Sequence, residues 1–413
     1  MAISRRLVLR FFVSPSKFLC ILYKENMIGE GDKLEIKYFD HSATTPVDKK
    51  VLEAMMPYFI EEYGNPSSVY SIGKSNKEII NINRMKVANI LNSKVDEIYF
   101  TSGGSESDNM ILKGIAFANK HKGNHIITSK IEHPAVLNSC KFLEKNGFKI
   151  SYINTNQNGI IDIKDLERTI TRNTILISIM FANNEIGTIQ PIKEIGEIAK
   201  KYGIYFHSDS VQAIGNIDID VKKYNLDAIS ISAHKFYGPK GVGFSYINEN
   251  VPFIRIQDGG HQEKDKRAGT ENVPGIVGAV KALEIAVKDM EKNNKHIKFL
   301  RDYYIDEIKR RVPYIKINGD IEKRLPGNAN ISFNGVDGSK LLLELDKKGI
   351  CASSGSACSA GLLNPSHVLL SIGLPINLAR SSLRITFGKN NTIEETKYLT
   401  DSIEEIVNKL RYN

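Results

Sequence analysis

A regular alternation of short apolar segments with amphipathic helical segments begins near residue 95 and constrains the fold of this sequence more than any other feature. Seven segments have the length and composition of strands, and they are residues 97–100, 125–129, 149–154, 174–181, 204–210, 228–233 and 241–247. This order predicts an α/β fold with a mostly parallel seven-stranded sheet and helices on both faces. Only a short loop precedes the last segment, which allows that strand to pair antiparallel.

The character of the sequence changes after Val273, where one long helical stretch is followed by two strand candidates and two further helices. This pattern predicts a smaller α+β domain beside the large one. We expect an N-terminal extension over residues 1–36, a large domain over 45–291, and a small domain made of 37–44 and 292–413.

The net charge of +9 is concentrated near the N-terminus, where residues 1–26 hold five basic residues and one acid. Elsewhere basic and acidic residues are interspersed and no nucleic-acid motif occurs, so we expect no direct contact with DNA or RNA. No apolar run reaches about 18 residues, so we expect no membrane span.

The four cysteines form no C-x-x-C pair and no disulfide pattern, which favours a reducing compartment such as the cytoplasm. Residues 1–26 are rich in Arg and Ser and poor in acids, as is typical of an organellar transit peptide. A start at Met27 explains the same segment equally well. An organellar location is therefore the alternative to a cytoplasmic one.

A Gly/Ser-rich segment, residues 101–107, lies between a predicted strand and a predicted helix. Its glycines let the backbone approach a phosphate, and the free amides of a first helical turn donate to one. Alone, such a segment is more often only a turn and a helix cap.

Two charged residues follow later strands: Asp209 ends one strand, and Lys235 comes directly after the next. Alone, the first is more often a helix cap and the second a surface lysine. Together with the Gly/Ser-rich segment they offer an anion-binding loop, a carboxylate for a pyridine nitrogen and an amine for an aldehyde. One molecule that needs all three is pyridoxal 5'-phosphate.

Cys358 lies in a run of small residues, Ala-Ser-Ser-Gly-Ser-Ala-Cys-Ser-Ala-Gly, with no bulky apolar neighbour. This composition is typical of an exposed, reactive thiol rather than a structural one. Cys351 lies in a more strand-like context, and Cys140 falls within a predicted helix, so we expect both to be packed.

Ten segments, in order, resemble the cysteine desulfurases of the NifS-like group, within the fold-type-I pyridoxal-phosphate enzymes. They are YFDHSATTPV (38–47), YGNPSSVYSIG (63–73), TSGGSESDN (101–109), EHPAV (132–136), NNEIGTIQP (183–191), HSDSVQA (207–213), SAHKFYGPKG (232–241), RAGTEN (267–272), SSGSACSAG (353–361) and SLRITFG (382–388). The resemblance covers the chain from Tyr38 to its end.

The resemblance implies a role for each matching residue. Lys235 would bind the cofactor aldehyde, Asp209 would pair with the pyridine nitrogen, and His133 would stack on the ring and take part in catalysis. Gly104, Ser105, Ser232 and His234 would bind the phosphate, and Thr270 would bind the phosphate of a second subunit in a homodimer. Gln212 and Asn184 would bond the ring hydroxyl or the substrate, and Arg384 would bind the substrate carboxylate. Cys358 would accept the sulfur. No metal is implied.

Three residues depart from the family pattern. Ser105 replaces a threonine but keeps the hydroxyl, His41 stands where tyrosine is common, and Arg380 where histidine is common. None removes a reacting group, although the last two could alter substrate affinity.

The resemblance further implies that L-cysteine is converted to L-alanine and that the sulfur passes to an acceptor protein, such as an iron–sulfur scaffold or a tRNA-thiolation relay. A selenocysteine lyase or another class-V aminotransferase is the nearest alternative, although the Arg-Gly-His-His-Cys type of motif of the former is missing. A degenerate, non-catalytic binding partner with the same fold is the alternative from another class.

Overall fold

The computed structural model describes residues 35–354 and 365–412, and its largest element is a seven-stranded sheet. The strands of this sheet are β2 (Ile98–Thr101), β3 (His125–Ser129), β4 (Lys149–Ile153), β5 (Thr174–Ser178), β6 (Tyr205–Asp209), β7 (Ala228–Ser232) and β8 (Gly243–Ile247). Their order across the sheet is β2-β8-β7-β6-β5-β3-β4. The predicted fold class is therefore confirmed, strand by strand.

Five strands of the sheet, from β7 to β4, run parallel, while β8 pairs antiparallel with both β7 and β2. The antiparallel pairing expected for β8 is confirmed. Because β6 and β7 are parallel neighbours, with Asp209 opposite Ser230, the residues that follow these strands emerge at the same edge of the sheet.

The helices are numbered in chain order over the described residues. They are α1 (Lys49–Met55), α2 (Pro57–Ile60), α3 (Ser71–Leu91), α4 (Gly104–Ala118), α5 (Pro134–Lys145), α6 (Ile163–Thr169), α7 (Ile192–Tyr202), α8 (Gln262–Asp265), α9 (Val273–Lys288), α10 (Met290–Arg311), α11 (Gly338–Lys347), α12 (His367–Ser371), α13 (Ile376–Arg380) and α14 (Ile393–Tyr412). The single long helical stretch predicted after Val273 is two helices, α9 and α10, which meet at Asp289. Asp289 has φ −99° and ψ 8°, outside the helical region, and aspartate is a weak helix former that favours helix ends.

A second layer of strands lies in the C-terminal part of the chain. Strands β9 (Ile315–Ile317), β10 (Asn328–Phe333) and β12 (Ser382–Thr386) form an antiparallel sheet in the order β12-β10-β9, and β1 (Lys37–Tyr38) pairs in parallel with β11 (Ile350–Cys351). These strands share an apolar core with α10, α11 and α14, in which Phe39, Tyr304 and Phe333 are fully buried. The proposed domain boundaries stay a prediction.

Within residues 35–354 and 365–412, no helix has both the length and the apolar composition that crossing a bilayer requires.

Candidate active site

A cavity of about 470 Å³ opens at the carboxyl ends of the parallel strands. Its lining includes every predicted site residue except Thr270 and Cys358: Gly104, Ser105, His133, Asn184, Asp209, Gln212, Ser232, His234, Lys235 and Arg384. Because ligands of open α/β sheets bind at this edge, the cavity is the candidate active site.

Asp209 is the last residue of β6 and is buried. Its Oδ1 accepts a hydrogen bond of 3.0 Å from the Val211 amide. Burial raises the pKa of this carboxyl, while the nearby His133 and Lys235 favour its ionised form. A buried carboxylate at a strand end is available to pair with a positively charged group in the cavity.

Lys235 ends a short 3₁₀ turn, Ala233–Lys235, directly after β7. Its Nζ donates hydrogen bonds to the carbonyl oxygens of Ser42 (2.6 Å) and Ala43 (2.7 Å). Lys235 and Asp209 line the same cavity and interact electrostatically. The arrangement places an amine and a carboxylate around one space, as a single ligand with two such partners requires.

The Gly/Ser-rich loop lines the cavity, and in this loop Gly103 precedes α4 with φ 145° and no side chain caps the helix. A Cβ on Gly104 would lie 2.7 Å from Val211 Cγ2, so only glycine fits there without a shift. Glu106, in the first turn, is engaged by the Ser102 amide (2.7 Å) and by Arg267 (2.8 Å). The uncapped first-turn amides and the adjoining hydroxyls form a donor set suited to a phosphate.

His234 also lines the cavity, and its Nδ1 is 3.1 Å from Thr44 Oγ1. Burial lowers the pKa of His234 to about 4, so the ring is neutral at physiological pH. A neutral imidazole with one N–H can donate one hydrogen bond to a ligand or to a neighbour.

His133 is the N-cap residue of α5, and its side chain also lines the cavity. Its Nδ1 accepts a 3.1 Å hydrogen bond from the Ala135 amide, and burial lowers the pKa of the ring. His133 is therefore the N-cap of α5 as well as a cavity residue. Since Nδ1 is an acceptor, the neutral ring carries its proton on Nε2.

Arg384 reaches the cavity from β12 in the small sheet and is 3% exposed. Its Nη2 forms an ion pair of 2.7 Å with Asp40 Oδ1, and its Nη1 donates to the Asn184 carbonyl at 3.1 Å. Asp40 has no predicted role, although it lies in the first of the ten resembling segments. Asp40 and the Asn184 carbonyl together orient the guanidinium.

Asp108 is a second buried carboxyl at the cavity that the sequence analysis missed. Polar atoms of Asp108, His133 and Asp209 all lie within 4.8 Å of one another. Burial, with the neighbouring Asp209 charge, raises the pKa of Asp108 well above its ordinary value. Its position four residues after Gly104 on one helix face is the signal that could have found it.

Thr270 lies outside this cavity and lines a neighbouring one of about 70 Å³, which shares Ser102 and Gly241 with the site. Cys358 lies outside the described residues. Cys140 is buried in α5, as predicted, and Cys351 in β11 is only half-buried.

Comparisons with known proteins agree on one family. The model of the class-V aminotransferase family matches residues 37–399. The protein named cysteine desulfurase IscS from Clostridium botulinum (strain Hall) is 53% identical over 376 residues, which is 91% of this chain and 95% of that protein.

Solved structures point the same way. The structure of a NifS-like protein superposes with a TM-score of 0.86 at 40% identity, covering 91% of this chain and all of the other. The structure of SspA in complex with cysteine gives a TM-score of 0.76 at 36% identity over 86% of this chain and all of the other.

Proposed function

The chain belongs to the class-V aminotransferase family, among its cysteine desulfurases, and from that membership we propose that it removes sulfur from L-cysteine, releases L-alanine and captures the sulfur as a persulfide on Cys358. The observation that carries the proposal is the shared cavity of Lys235, Asp209 and the loop before α4. These groups match the three attachment points of one cofactor. Cysteine is also the ligand in the solved complex of one structural relative, SspA.

The proposed cofactor is pyridoxal 5'-phosphate, which class-V aminotransferases use in general, and the cavity residues fit it. Gly104, Ser105, Ser232 and His234 would hold the phosphate. Lys235 would bind the aldehyde, Asp209 the pyridine nitrogen, His133 a ring face, and Gln212 the ring hydroxyl. When bound, this cofactor supplies an electron sink for the carbanion at the substrate Cα.

Protein groups would then bind the substrate and move its protons. Arg384, oriented by Asp40 and by the Asn184 carbonyl, binds the substrate carboxylate, for which a guanidinium fork is well suited. With the cofactor bound, Lys235 would take the Cα proton of the substrate. Asp209 would keep the pyridine nitrogen protonated through its negative charge.

Cys358 would act as the nucleophile in the thiolate form. An S–S bond forms between Cys358 and the substrate sulfur as the substrate C–S bond breaks. The electron pair of that bond stays with the substrate, whose Cβ gains a proton, and the product leaves as alanine. The persulfide then passes to an acceptor protein, such as an iron–sulfur scaffold or a component of tRNA thiolation.

The proposed assembly is a homodimer in which Thr270 completes the phosphate site of the partner. Two features support it. Thr270 lies beside its own cavity rather than in it, and the segment from Leu52 to Tyr70 exposes large apolar side chains, among them Ile60 at 64% and Val69 at 84%. An apolar surface of this kind favours burial against a partner. The proposed location is the cytoplasm, from the cysteine usage alone.

The test is mass spectrometry of the purified protein after exposure to L-cysteine. We expect one additional sulfur on the peptide that holds Cys358, and Cys358→Ala should lower alanine release by at least about 1,000-fold. Cys140→Ala is the matched control, because that thiol is buried away from the site. Sustained turnover in Cys358→Ala would favour an aminotransferase, and a protein that does not bind the cofactor would favour a non-catalytic partner.

A further inference from the structure

Glu106 places a negative charge in the proposed phosphate loop. It lies in the first turn of α4 and lines the same cavity as Gly104 and Ser105. An acidic residue in a first turn stabilises the helix, but a carboxylate close to a bound phosphate repels it. Phosphate binding at this loop therefore depends on a group that compensates the charge of Glu106.

Arg267 supplies that compensation. Its Nε donates a 2.8 Å hydrogen bond to Glu106 Oε1, and its Nη2 donates to Glu106 Oε2 at 3.4 Å. The two side chains are only 20% and 21% exposed, so solvent screens the ion pair only in part. Burial raises the pKa of Glu106, but the hydrogen bonds from Arg267 and Ser102 more than offset this, and the lowered pKa favours the carboxylate.

The carboxylate of Glu106 also holds the backbone of the loop. The Ser102 amide donates a 2.7 Å hydrogen bond to Glu106 Oε2. Ser102 directly precedes Gly103, whose φ of 145° leads the chain into α4. Glu106 therefore fixes the start of the turn that presents the Gly104 amide, and Arg267 in turn fixes Glu106.

The segment that carries Arg267 is attached to the strand that leads into the same loop. Glu263 is 5% exposed, and it accepts hydrogen bonds from Arg84 (2.6 and 2.8 Å) and from the Phe100 amide in β2 (2.9 Å). Glu263 and the two residues after it have φ values of 45°, 55° and 63°, which residues other than glycine rarely adopt. Such a backbone persists where its surroundings hold it, so Arg267 extends from a fixed part of the chain.

We propose that Arg267 is a positioning residue of the phosphate site, which neutralises Glu106 and keeps it on the Ser102 amide so that the loop accepts a phosphate group. Arg267 lines the neighbouring cavity of about 70 Å³ and not the candidate active site, so it acts on the phosphate through Glu106. This inference rests on the proposed function, in which the loop binds the phosphate of the cofactor.

The experiment titrates the full-length protein, freed of cofactor, with pyridoxal 5'-phosphate and separately with pyridoxal, which lacks the phosphate. Both ligands have the same ring and aldehyde, so the ratio of their dissociation constants isolates the contribution of the phosphate. We expect Arg267→Ala to raise the Kd for pyridoxal 5'-phosphate about tenfold or more, because the charge of Glu106 is left uncompensated. The Kd for pyridoxal should stay within about twofold of wild type, and ligand absorbance measures both.

A double variant tests whether Arg267 acts through Glu106. Glu106→Gln keeps an acceptor for the Ser102 amide but removes the charge, so it should bind pyridoxal 5'-phosphate within about threefold of wild type. Adding Glu106→Gln to Arg267→Ala should therefore restore the Kd to within about threefold of wild type. If Arg267 attracted the phosphate directly, the double variant would bind as weakly as Arg267→Ala alone, and that result overturns the inference.

Arg311→Ala is the matched control, because the Arg311 side chain is 21% exposed in an ion pair with Glu404 and lies outside the cavity, so its ratio should equal that of wild type. An equal loss of affinity for both ligands in Arg267→Ala indicates a merely structural role and also overturns the inference. If thermal unfolding shows that Arg267→Ala fails to fold, Arg267→Gln, which keeps a hydrogen-bonding side chain without the charge, decides through the same ratio. Failure of the proposed function is a different result, because the wild-type protein itself would then show no preference for pyridoxal 5'-phosphate over pyridoxal.

Discussion

The two sides of the candidate active site are built differently. The residues of the cofactor side (Gly104, His133, Asp209 and Lys235) end or follow four strands of one sheet, and two of the side chains are held by residues only two positions away. The thiol side (Arg384, Glu185, Ser353 and Ser366) includes two contacts between residues far apart in the chain, Ser366 with Glu185 at 181 positions and Arg384 with Asp40 at 344 positions. On the cofactor side Lys235 also has distant partners, because its Nζ donates to the carbonyls of Ser42 and Ala43, 193 and 192 positions away, so the local contacts there are those of His133 and Asp209.

This difference predicts which part of the reaction a substitution on each side should affect. A substitution on the cofactor side alters the group that every chemical step uses. We expect a substitution on the thiol side to change substrate binding and to leave cofactor binding in place. Comparing one substitution from each side tests whether this division holds.

The largest effect is expected for Asp209→Asn. The amide keeps the size of the side chain but loses the charge that we propose keeps the pyridine nitrogen protonated, so turnover should fall by about 100-fold or more. The absorbance change on mixing with L-cysteine should slow to the same extent. Asp227→Asn is the control, because Asp227 is also largely buried and accepts from a backbone amide, at Phe206, but lies outside the cavity. Equal losses in both variants would contradict the assigned role.

On the thiol side, Arg384→Lys should raise the KM for L-cysteine by about tenfold or more. Lysine keeps the positive charge but cannot hold Asp40, the Asn184 carbonyl and a carboxylate with one planar fork. Steady-state kinetics and a cofactor titration check this, with Arg311→Lys, in a surface ion pair, as the control. If Arg384→Lys lowered the affinity for the cofactor instead of the affinity for the substrate, the proposed division between the two sides would be contradicted.

This division also explains how much the sequence could predict. Asp209 and Lys235 follow strands recognisable from local composition, so their common sheet edge could be predicted before any resemblance was used. Arg384 received its role only from the resemblance. The contacts of Ser366 with Glu185 and of Arg384 with Asp40 were not predicted, because no local pattern encodes pairs this far apart in the chain.

Asp108 lies close to Asp209, but we expect replacement by asparagine to affect turnover differently at the two positions, with a large loss at Asp209 and a small one at Asp108. Burial and the Asp209 charge raise the pKa of Asp108 well above its ordinary value, which favours the neutral carboxyl, and an asparagine resembles a neutral carboxyl in shape and charge. We therefore expect Asp108→Asn to retain turnover within about threefold of wild type. A loss as large as that of Asp209→Asn would show that Asp108 ionises during the reaction.

The smallest effect is expected in the pH dependence of stability on the thiol side. Burial raises the pKa of Glu185 to about 7 from an ordinary value of 4.5, so the folded protein holds this proton more tightly than the unfolded chain. The contribution of Glu185 to stability is therefore complete below pH 4.5 and is lost as pH rises through 7. Because glutamine cannot ionise, the unfolding temperature of Glu185→Gln should not fall as pH rises in the way that of wild type does. The unfolding temperature of Glu185→Gln minus that of wild type should therefore be about a degree or two larger at pH 9 than at pH 5. His207, buried in β6 two residues before Asp209, has the opposite sign, since burial lowers its pKa to about 3 and its contribution is lost as pH falls below 6.5. His207→Asn should therefore make the unfolding temperature depend less on pH below 6.5 and leave its pH dependence in the alkaline range unchanged. If His207→Asn and Glu185→Gln altered the unfolding temperature over the same pH range, this separation would be contradicted.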